Sequence, residues 1–198
     1  MDWHSVEEAV DPLPIFRQWF RDAEASEPND PNAVALATAT KDGFPSVRMV
    51  LMKKLDERGF CFYTNADSRK GCDLRENPRA ALCFHWKSLR HQVRVEGPVV
   101  ELPVEDADRY FHSRSRMSQV GAAVSQQSRP LDSRQHLEEL VKQFGAEHPG
   151  EIPRPEYWKG FAVVPERVEL WMDGDYRLHN RFLFVRQGDG WTRTRLYP

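Results

Sequence analysis

Arg177, His179 and Arg181 recur at every second position of the segment 176–182. Alternate residues of an extended chain share a face, so this spacing predicts a strand with three basic groups on one side. Like charges crowded together on a sheet repel one another. Such a face is stabilised when it meets an anion or an electron-rich ring, and the flat, weakly hydrated guanidinium of Arg suits both. The same pattern also suits a solvated edge strand whose charges block aggregation. The choice rests on the rest of the chain.

Other cationic groups share that chemistry. Ser68, Arg69 and Lys70 lie where residues 65–68 precede a capped helix over 69–75. A helix N-terminus offers free N–H groups and a favourable dipole, which suits phosphate; an ordinary cap with exposed cations is the plainer reading. Arg48 and Lys53 flank the apolar run 49–52, and strict alternation puts them on opposite faces of one strand. Tyr110, Arg114 and Ser118 stand at i, i+4 and i+8, so a continuous helix would align two hydroxyls and a guanidinium to grip a phosphate. Ser113 to Ser115 is where such a helix could break.

These groups need a scaffold, and the texture of the chain is mostly β. Asp11 and Pro12 open a helix carrying Leu13, Phe16, Trp19, Phe20 and Ala23 on one face. Strands are predicted over 34–40, 46–55, 59–64, 79–86 and 92–101, with two or three more between 161 and 197. Residues 41–43 and 188–190 read as turns. Helices are predicted over 103–111 and around Leu137, Leu140, Val141 and Phe144, the latter ending near Gly145. About eight short strands without crossover helices point to an antiparallel, closed or partly closed barrel. The Pro-rich stretch 149–155 is a connector, so residues 1–198 read as a single domain with a flexible N-terminus over 1–10.

Bulk composition narrows the partners. A net charge of −2 across 198 residues argues against a nucleic-acid binder, and local cationic pockets in a near-neutral chain fit small anions. The 3 Cys form no Cys-x-x-Cys pair and the histidines show no zincin spacing, so no metal site and no disulfide framework are expected. Phosphate-loop, dinucleotide-fold and hydrolase-elbow glycine motifs are missing. The acidic start, residues 1–8, lacks an apolar core and no run reaches the roughly 20 apolar residues of a membrane span. A cytoplasmic protein with no membrane partner is the expectation.

Taken in order, Arg48 to Lys53, Phe62 to Asn65, Ser68 to Lys70, Tyr110 to Arg114, Ser125 to Ser128 and Arg177 to Phe182 resemble the pyridoxine/pyridoxamine 5′-phosphate oxidase family over nearly the whole chain. The resemblance implies an antiparallel, Greek-key-like split β-barrel with peripheral helices, forming a homodimer with FMN at the subunit interface. It implies flavin contacts at Arg48, Val50, Leu51, Lys53, Tyr63, Thr64, Ser68, Arg69, Lys70, Gln92, Gln127, Ser128, Trp171 and Arg181, some from the partner subunit. It implies a substrate-phosphate clamp of Lys53, Tyr110, Arg114 and Ser118, and a catalytic pair, Arg177 and His179, above the substrate ring. The implied reaction oxidises pyridoxamine or pyridoxine 5′-phosphate with dioxygen, yielding pyridoxal 5′-phosphate and hydrogen peroxide. A related oxidase of another ring, such as a phenazine precursor, and a non-catalytic flavin or pyridoxal-phosphate binder are the alternatives.

Three departures from the family pattern stand out. Asn180 replaces a common Asp, Ser115 replaces a common Pro, and the N-terminus lacks the Arg-rich segment that covers the substrate in some relatives. By alternation the Asn180 side chain should point away from His179.

Overall fold

The computed structural model describes residues 3–198. Within 1–10, expected as a flexible tail, Trp3–Glu8 form a short helix, α1. Val6 is fully buried, and Arg193 donates to the Ala9 carbonyl at 3.1 Å. Helix α2, Pro12–Ser26, follows the expected start: the Asp11 side chain accepts from the Leu13 N–H at 2.8 Å, and Pro12 occupies the first turn, where no N–H partner exists anyway.

Ten strands, more than the expected eight, form one antiparallel sheet: β1 Ala33–Ala39, β2 Pro45–Leu51, β3 Lys54–Asp56, β4 Gly59–Asn65, β5 Arg79–Trp86, β6 His91–Glu101, β7 Trp158–Val163, β8 Arg167–Met172, β9 Asn180–Gln187 and β10 Gly190–Arg195. The main order is β10-β9-β8-β6-β5-β1-β2. Strand β6 is the branch point. Residues 91–96 pair with β8, whereas 99–101 pair with β7, which continues to β4 and β3. One strand serving two sets of neighbours curls the sheet into a half-barrel.

The concave side is filled by alternate residues of the strands and by α2. Phe16 meets Phe60 and Phe84 edge to face, with ring centroids 4.9 and 5.0 Å apart. Such contacts add to the burial of Trp19, Leu36, Leu82, Val93, Val95 and Leu170, all essentially inaccessible. The remaining helices are α3 Arg69–Glu76, α4 Val104–Ser113, α5 Arg116–Val124 and α6 Arg134–Glu147, the last running past the expected end at Gly145. Gly145 does not stop α6 because it keeps helical geometry, and His148 caps the helix. All three cysteines are free, and burial pushes the Cys61 thiol up to about 12. No helix among the described residues is long and apolar enough to cross a membrane.

Two expectations about the site's scaffold change. The run 46–55 is not one strand: β2 ends at Leu51, and Lys53 sits in a break before β3, its N–H donating to the Cys61 carbonyl. The segment 176–182 is not one strand either. Asp175–Arg177 form a 3-10 turn, Tyr176 and Arg177 have φ of 56° and 64°, and β9 begins only at Asn180. Gly174 makes the turn possible, since a Cβ there would lie 2.3 Å from the Leu178 carbonyl oxygen. Period-two spacing cannot reveal a loop that closes on itself around a glycine two positions earlier.

Candidate functional site

The break after β2 lets Lys53 reach the same cavity as Arg48. It measures about 610 Å3 and lies between β2, β4, the start of α3 and the end of α4; Lys53 stands beyond the end of β2, so alternation along one strand does not place it. The walls also include Val50, Leu51, Tyr63, Thr64, Arg69, Lys70, Tyr110, Arg114, Gln127, Ser128 and Trp158. Five side chains of this lining are cationic (Arg48, Lys53, Arg69, Lys70 and Arg114) and none is a carboxylate. A larger groove, about 800 Å3, also carries cations, but there Arg75, Arg154 and Lys159 are paired with Asp67, Asp108 and Glu101. Charge balance therefore makes the smaller cavity the better candidate for an anion.

Each cation is held by a different device. Arg48 donates from Nη1 to the Leu36 carbonyl at 3.1 Å and to Thr38 Oγ1 at 2.8 Å. Behind it the buried Asp73 accepts from Thr38 at 2.6 Å and Ser46 at 3.0 Å, with its Oδ2 3.8 Å from Arg48 Nη2. Burial lowers the Arg48 pKa more than Asp73 restores it. Lys70 spends its three donors on neutral oxygens: Gln127 Oε1 at 2.7 Å, Ser68 Oγ at 3.1 Å and Thr64 Oγ1 at 3.2 Å. Burial, reinforced by Arg48, pulls the Lys70 pKa down to about 8. The Ser68 hydroxyl donates to the Asn65 carbonyl at 2.6 Å rather than capping α3 by its side chain.

Gly71 packs the first turn of α3 against the 65–67 loop; a Cβ there would stand 2.1 Å from the Ala66 carbonyl oxygen. That close approach fixes Arg69 and Lys70 at the cavity wall. Opposite them, the rings of Tyr63 and Tyr110 stack with centroids 4.2 Å apart, and Lys53 Nζ lies 5.6 Å from the Tyr110 ring centre.

The helix expected to carry Tyr110, Arg114 and Ser118 is broken. Helix α4 ends at Ser113, and Arg114 has extended geometry before α5 starts at Arg116. The Gln119 amide pins the kink by donating to the Arg114 carbonyl at 2.8 Å. Ser115, the departure from Pro, caps α5 by accepting from the Ser118 N–H. Tyr110 and Arg114 still meet at the cavity, but Ser118 is exposed, hydrogen-bonded to Ser115 at 2.8 Å and absent from the lining. Arg114 lies 4.4 Å over the Trp158 ring, and burial lowers its pKa. Its Nη1 and the Trp158 Nε1 are buried without a hydrogen-bond partner among the described residues. Two orphaned donors in a cavity where Lys53, Arg69, Lys70 and Arg114 have no carboxylate partner among the described residues fit a phosphate-bearing, flat-ringed ligand such as FMN or a phosphorylated pyridine. Ser128, at φ 74°, holds a left-handed backbone there, a strain that clusters at binding sites.

The remaining predicted residues form a second patch. Gln92, Trp171 and Arg181 are register neighbours across β6, β8 and β9. Arg181 donates from Nε to the buried Glu169 at 2.8 Å and from Nη1 to the Tyr197 carbonyl at 2.8 Å. His179 packs on Trp171, ring centroids 4.7 Å apart, while Arg177 is exposed. Asn180 lies within 3.5 Å of Arg195 Nη1, on the β10 side, in keeping with the expected direction. None of these lines the cavity. Strands β8 and β2 are four steps apart in the sheet, roughly 19 Å along it. Sequence reasoning missed Trp158 and Asp73. Only Trp158, an aromatic at a strand start, left a visible trace.

Comparison with known proteins agrees with this layout. Residues 20–144 match the family model described as pyridoxamine 5′-phosphate oxidase, and 158–198 match the pyridoxine 5′-phosphate oxidase C-terminal dimerisation region. The pyridoxine/pyridoxamine 5′-phosphate oxidase of Gluconobacter oxydans is 58% identical over 96% of this chain and 95% of its own length. That of Rhodospirillum rubrum is 56% identical over 95% and 96%. Among solved structures, PhzG from Burkholderia lata, in complex with tetrahydrophenazine-1-carboxylic acid, superposes with a TM-score of 0.93 at 30% identity, covering 100% of this chain and 98% of that one. An FMN-binding, pyridoxamine 5′-phosphate oxidase-related protein of Nostoc punctiforme shares the fold, with a TM-score of 0.76 at 17% identity over 96% and 100%. Half-barrel, cation-lined cavity and two matching regions lead to one conclusion: this chain is a member of the pyridoxamine 5′-phosphate oxidase family.

Proposed function

We infer that the chain is an FMN-dependent oxidase, a single domain that converts pyridoxamine 5′-phosphate, pyridoxine 5′-phosphate or both into pyridoxal 5′-phosphate, with dioxygen as acceptor and hydrogen peroxide as co-product. The observation that carries this reading is the cavity with five cations and no carboxylate, sealed at one end by the unpartnered Arg114 Nη1 and Trp158 Nε1. Relatives bearing that activity in their names are more than half identical to it.

Arg48, Ser68, Arg69, Lys70, Thr64, Gln127 and Ser128 would hold the flavin and its phosphate, with Val50, Leu51, Lys53 and Tyr63 against its ring system. When bound, FMN supplies the hydride acceptor and passes the electrons to dioxygen. The protein's own contribution is placement and charge. Lys53, Tyr110 and Arg114 would clamp the substrate phosphate, which orients the ring and excludes water from it. Ser118 reaches this clamp only if its hydroxyl turns away from Ser115. Gln92, Trp171, Arg181, Arg177 and His179 would come from a second copy of the chain, docked through the matched dimerisation region. Arg177 and His179 then cover the substrate ring, the first by charge and the second by hydrogen bonding.

The clamp also weighs against a phenazine-type substrate, because a carboxylated ring without phosphate leaves Arg114 only half used. The test is the absorbance spectrum of purified protein, followed by peroxide detection on adding pyridoxamine 5′-phosphate in air. Flavin bands and stoichiometric peroxide are expected. A colourless protein that takes up no FMN would end the flavin reading, and a yellow protein inert to both vitamers would make it a binder.

A further inference from the structure

His179 sits in a setting that its expected role does not explain. Its Nδ1 lies 3.0 Å from Asp173 Oδ1, and the same nitrogen is 3.2 Å from the Gly174 N–H. These two neighbours demand opposite things. A carboxylate oxygen needs a proton on Nδ1, whereas a backbone N–H needs a lone pair there. Asp173 also pairs through Oδ2 with Arg90, and its own N–H donates to the Arg90 carbonyl at 3.1 Å. Arg90 takes a left-handed backbone, φ 54°, at the β5–β6 turn to reach it. Asp173 is thus fixed at both ends, with one oxygen reserved for the imidazole. Trp171 braces a face of that ring, and no described residue hydrogen-bonds Nε2.

We propose that Asp173, oriented by Arg90, is a positioning residue that holds His179 as its Nδ1–H tautomer and leaves Nε2 as an open hydrogen-bond acceptor for the substrate. Two oxygen and nitrogen lone pairs 3.0 Å apart would repel, so the carboxylate outweighs the Gly174 N–H in choosing the tautomer. An acceptor at Nε2 matches a substrate whose reacting group carries N–H or O–H hydrogens. The role resembles that of any carboxylate that fixes an imidazole tautomer from behind. It rests on the oxidase reading for its substrate, but not for its tautomer.

The experiment is 15N NMR of the His179 ring in the purified protein, joined to kinetics of Asp173→Asn. The wild type should show a protonated Nδ1 and a bare Nε2. In D173N, Arg90 claims the new amide oxygen, so the NH2 faces Nδ1 and the ring must switch to Nε2–H. With pyridoxamine 5′-phosphate, kcat should fall on the order of a hundredfold, with KM and FMN affinity little changed. An Nε2–H tautomer in the wild type overturns the proposal without any variant. So does a switched tautomer with unchanged kcat, or a loss of kcat matched by equal loss of FMN affinity. A wild type that turns over neither vitamer would remove the oxidase reading, and the NMR result would still decide the tautomer.

Discussion

Lys70 is a buried cation and Arg114 a half-buried one, neither with a carboxylate partner among the described residues, and each makes a measurable demand on its ligand. Unfolded, Lys70 keeps its proton through the ordinary lysine range; folded and ligand-free, it sheds it near pH 8. Between those values the unfolded chain binds more protons, so burial of the charge costs stability below about pH 8 and that cost is relieved as pH rises. An anion reverses the preference by favouring protonated Lys70. FMN affinity, followed by quenching of flavin fluorescence, should therefore weaken above pH 8, approaching tenfold per pH unit, with proton uptake on binding. In Lys70→Met the same profile should be flat and weaker throughout; a wild-type profile flat to pH 9.5 would sink the assignment. Arg114→Ala removes a charge-assisted contact worth about 1.5–3 kcal/mol. KM for pyridoxamine 5′-phosphate should rise about 10- to 150-fold, with kcat less affected. Equal losses with an unphosphorylated vitamer would show that Arg114 does not read phosphate.

Among the elements, the start of α3 is the one whose placement the cavity depends on most directly. Gly71 lets its first turn press on the Ala66 carbonyl, and Gly71→Ala must move backbone against backbone. The variant should lose about 1–3 kcal/mol of stability by denaturant titration. It should also lose FMN affinity, because Arg69 and Lys70 move with the turn. Stability lost without any change in FMN binding would separate the turn from the site. The kink between α4 and α5 follows similar logic. Ser115 caps α5, and Gln119 ties the break to the Arg114 carbonyl, so the residue that replaces a common Pro still delivers a fixed bend.

At the scale of the whole molecule, the predicted site residues fall into two patches that one chain does not join. The cavity holds Arg48, Lys53, Tyr63, Thr64, Arg69 and Lys70 with Tyr110, Arg114, Gln127 and Ser128; Gln92, Trp171 and Arg181 lie across β6, β8 and β9, with His179 just before β9. If two copies exchange these patches, a Lys70→Met chain and an Arg181→Ala chain, mixed at an FMN concentration at which neither alone turns over, should complement each other. Random reassortment makes half the dimers mixed, each with one intact site, so about a quarter of wild-type turnover should return. Mixtures that stay inactive after subunit exchange, verified by mass spectrometry, would place the whole site within one chain. The exposed apolar stripe of β2, formed by Val47, Met49 and Leu51 along the cavity rim, is the surface such a partner would cover.

The antiparallel strands, the Asp11–Pro12 helix start, a turn within 188–190 and the family were legible in the chain alone, because alternation, capping and ordered motifs are local properties. The sequence also named nearly all the cavity's polar residues. It failed where distant backbone decides direction: Lys53 joins Arg48 because β2 breaks, Ser118 leaves Tyr110 and Arg114 because a helix bends, and Arg177 leaves its strand because residues 174–178 close on themselves. Asp73 falls within the predicted 69–75 helix with nothing to mark it, and only tertiary packing set it behind Arg48. Spacing along a chain fixes which residues can share a face, but only the packed fold fixes which charges are buried and what stands behind them.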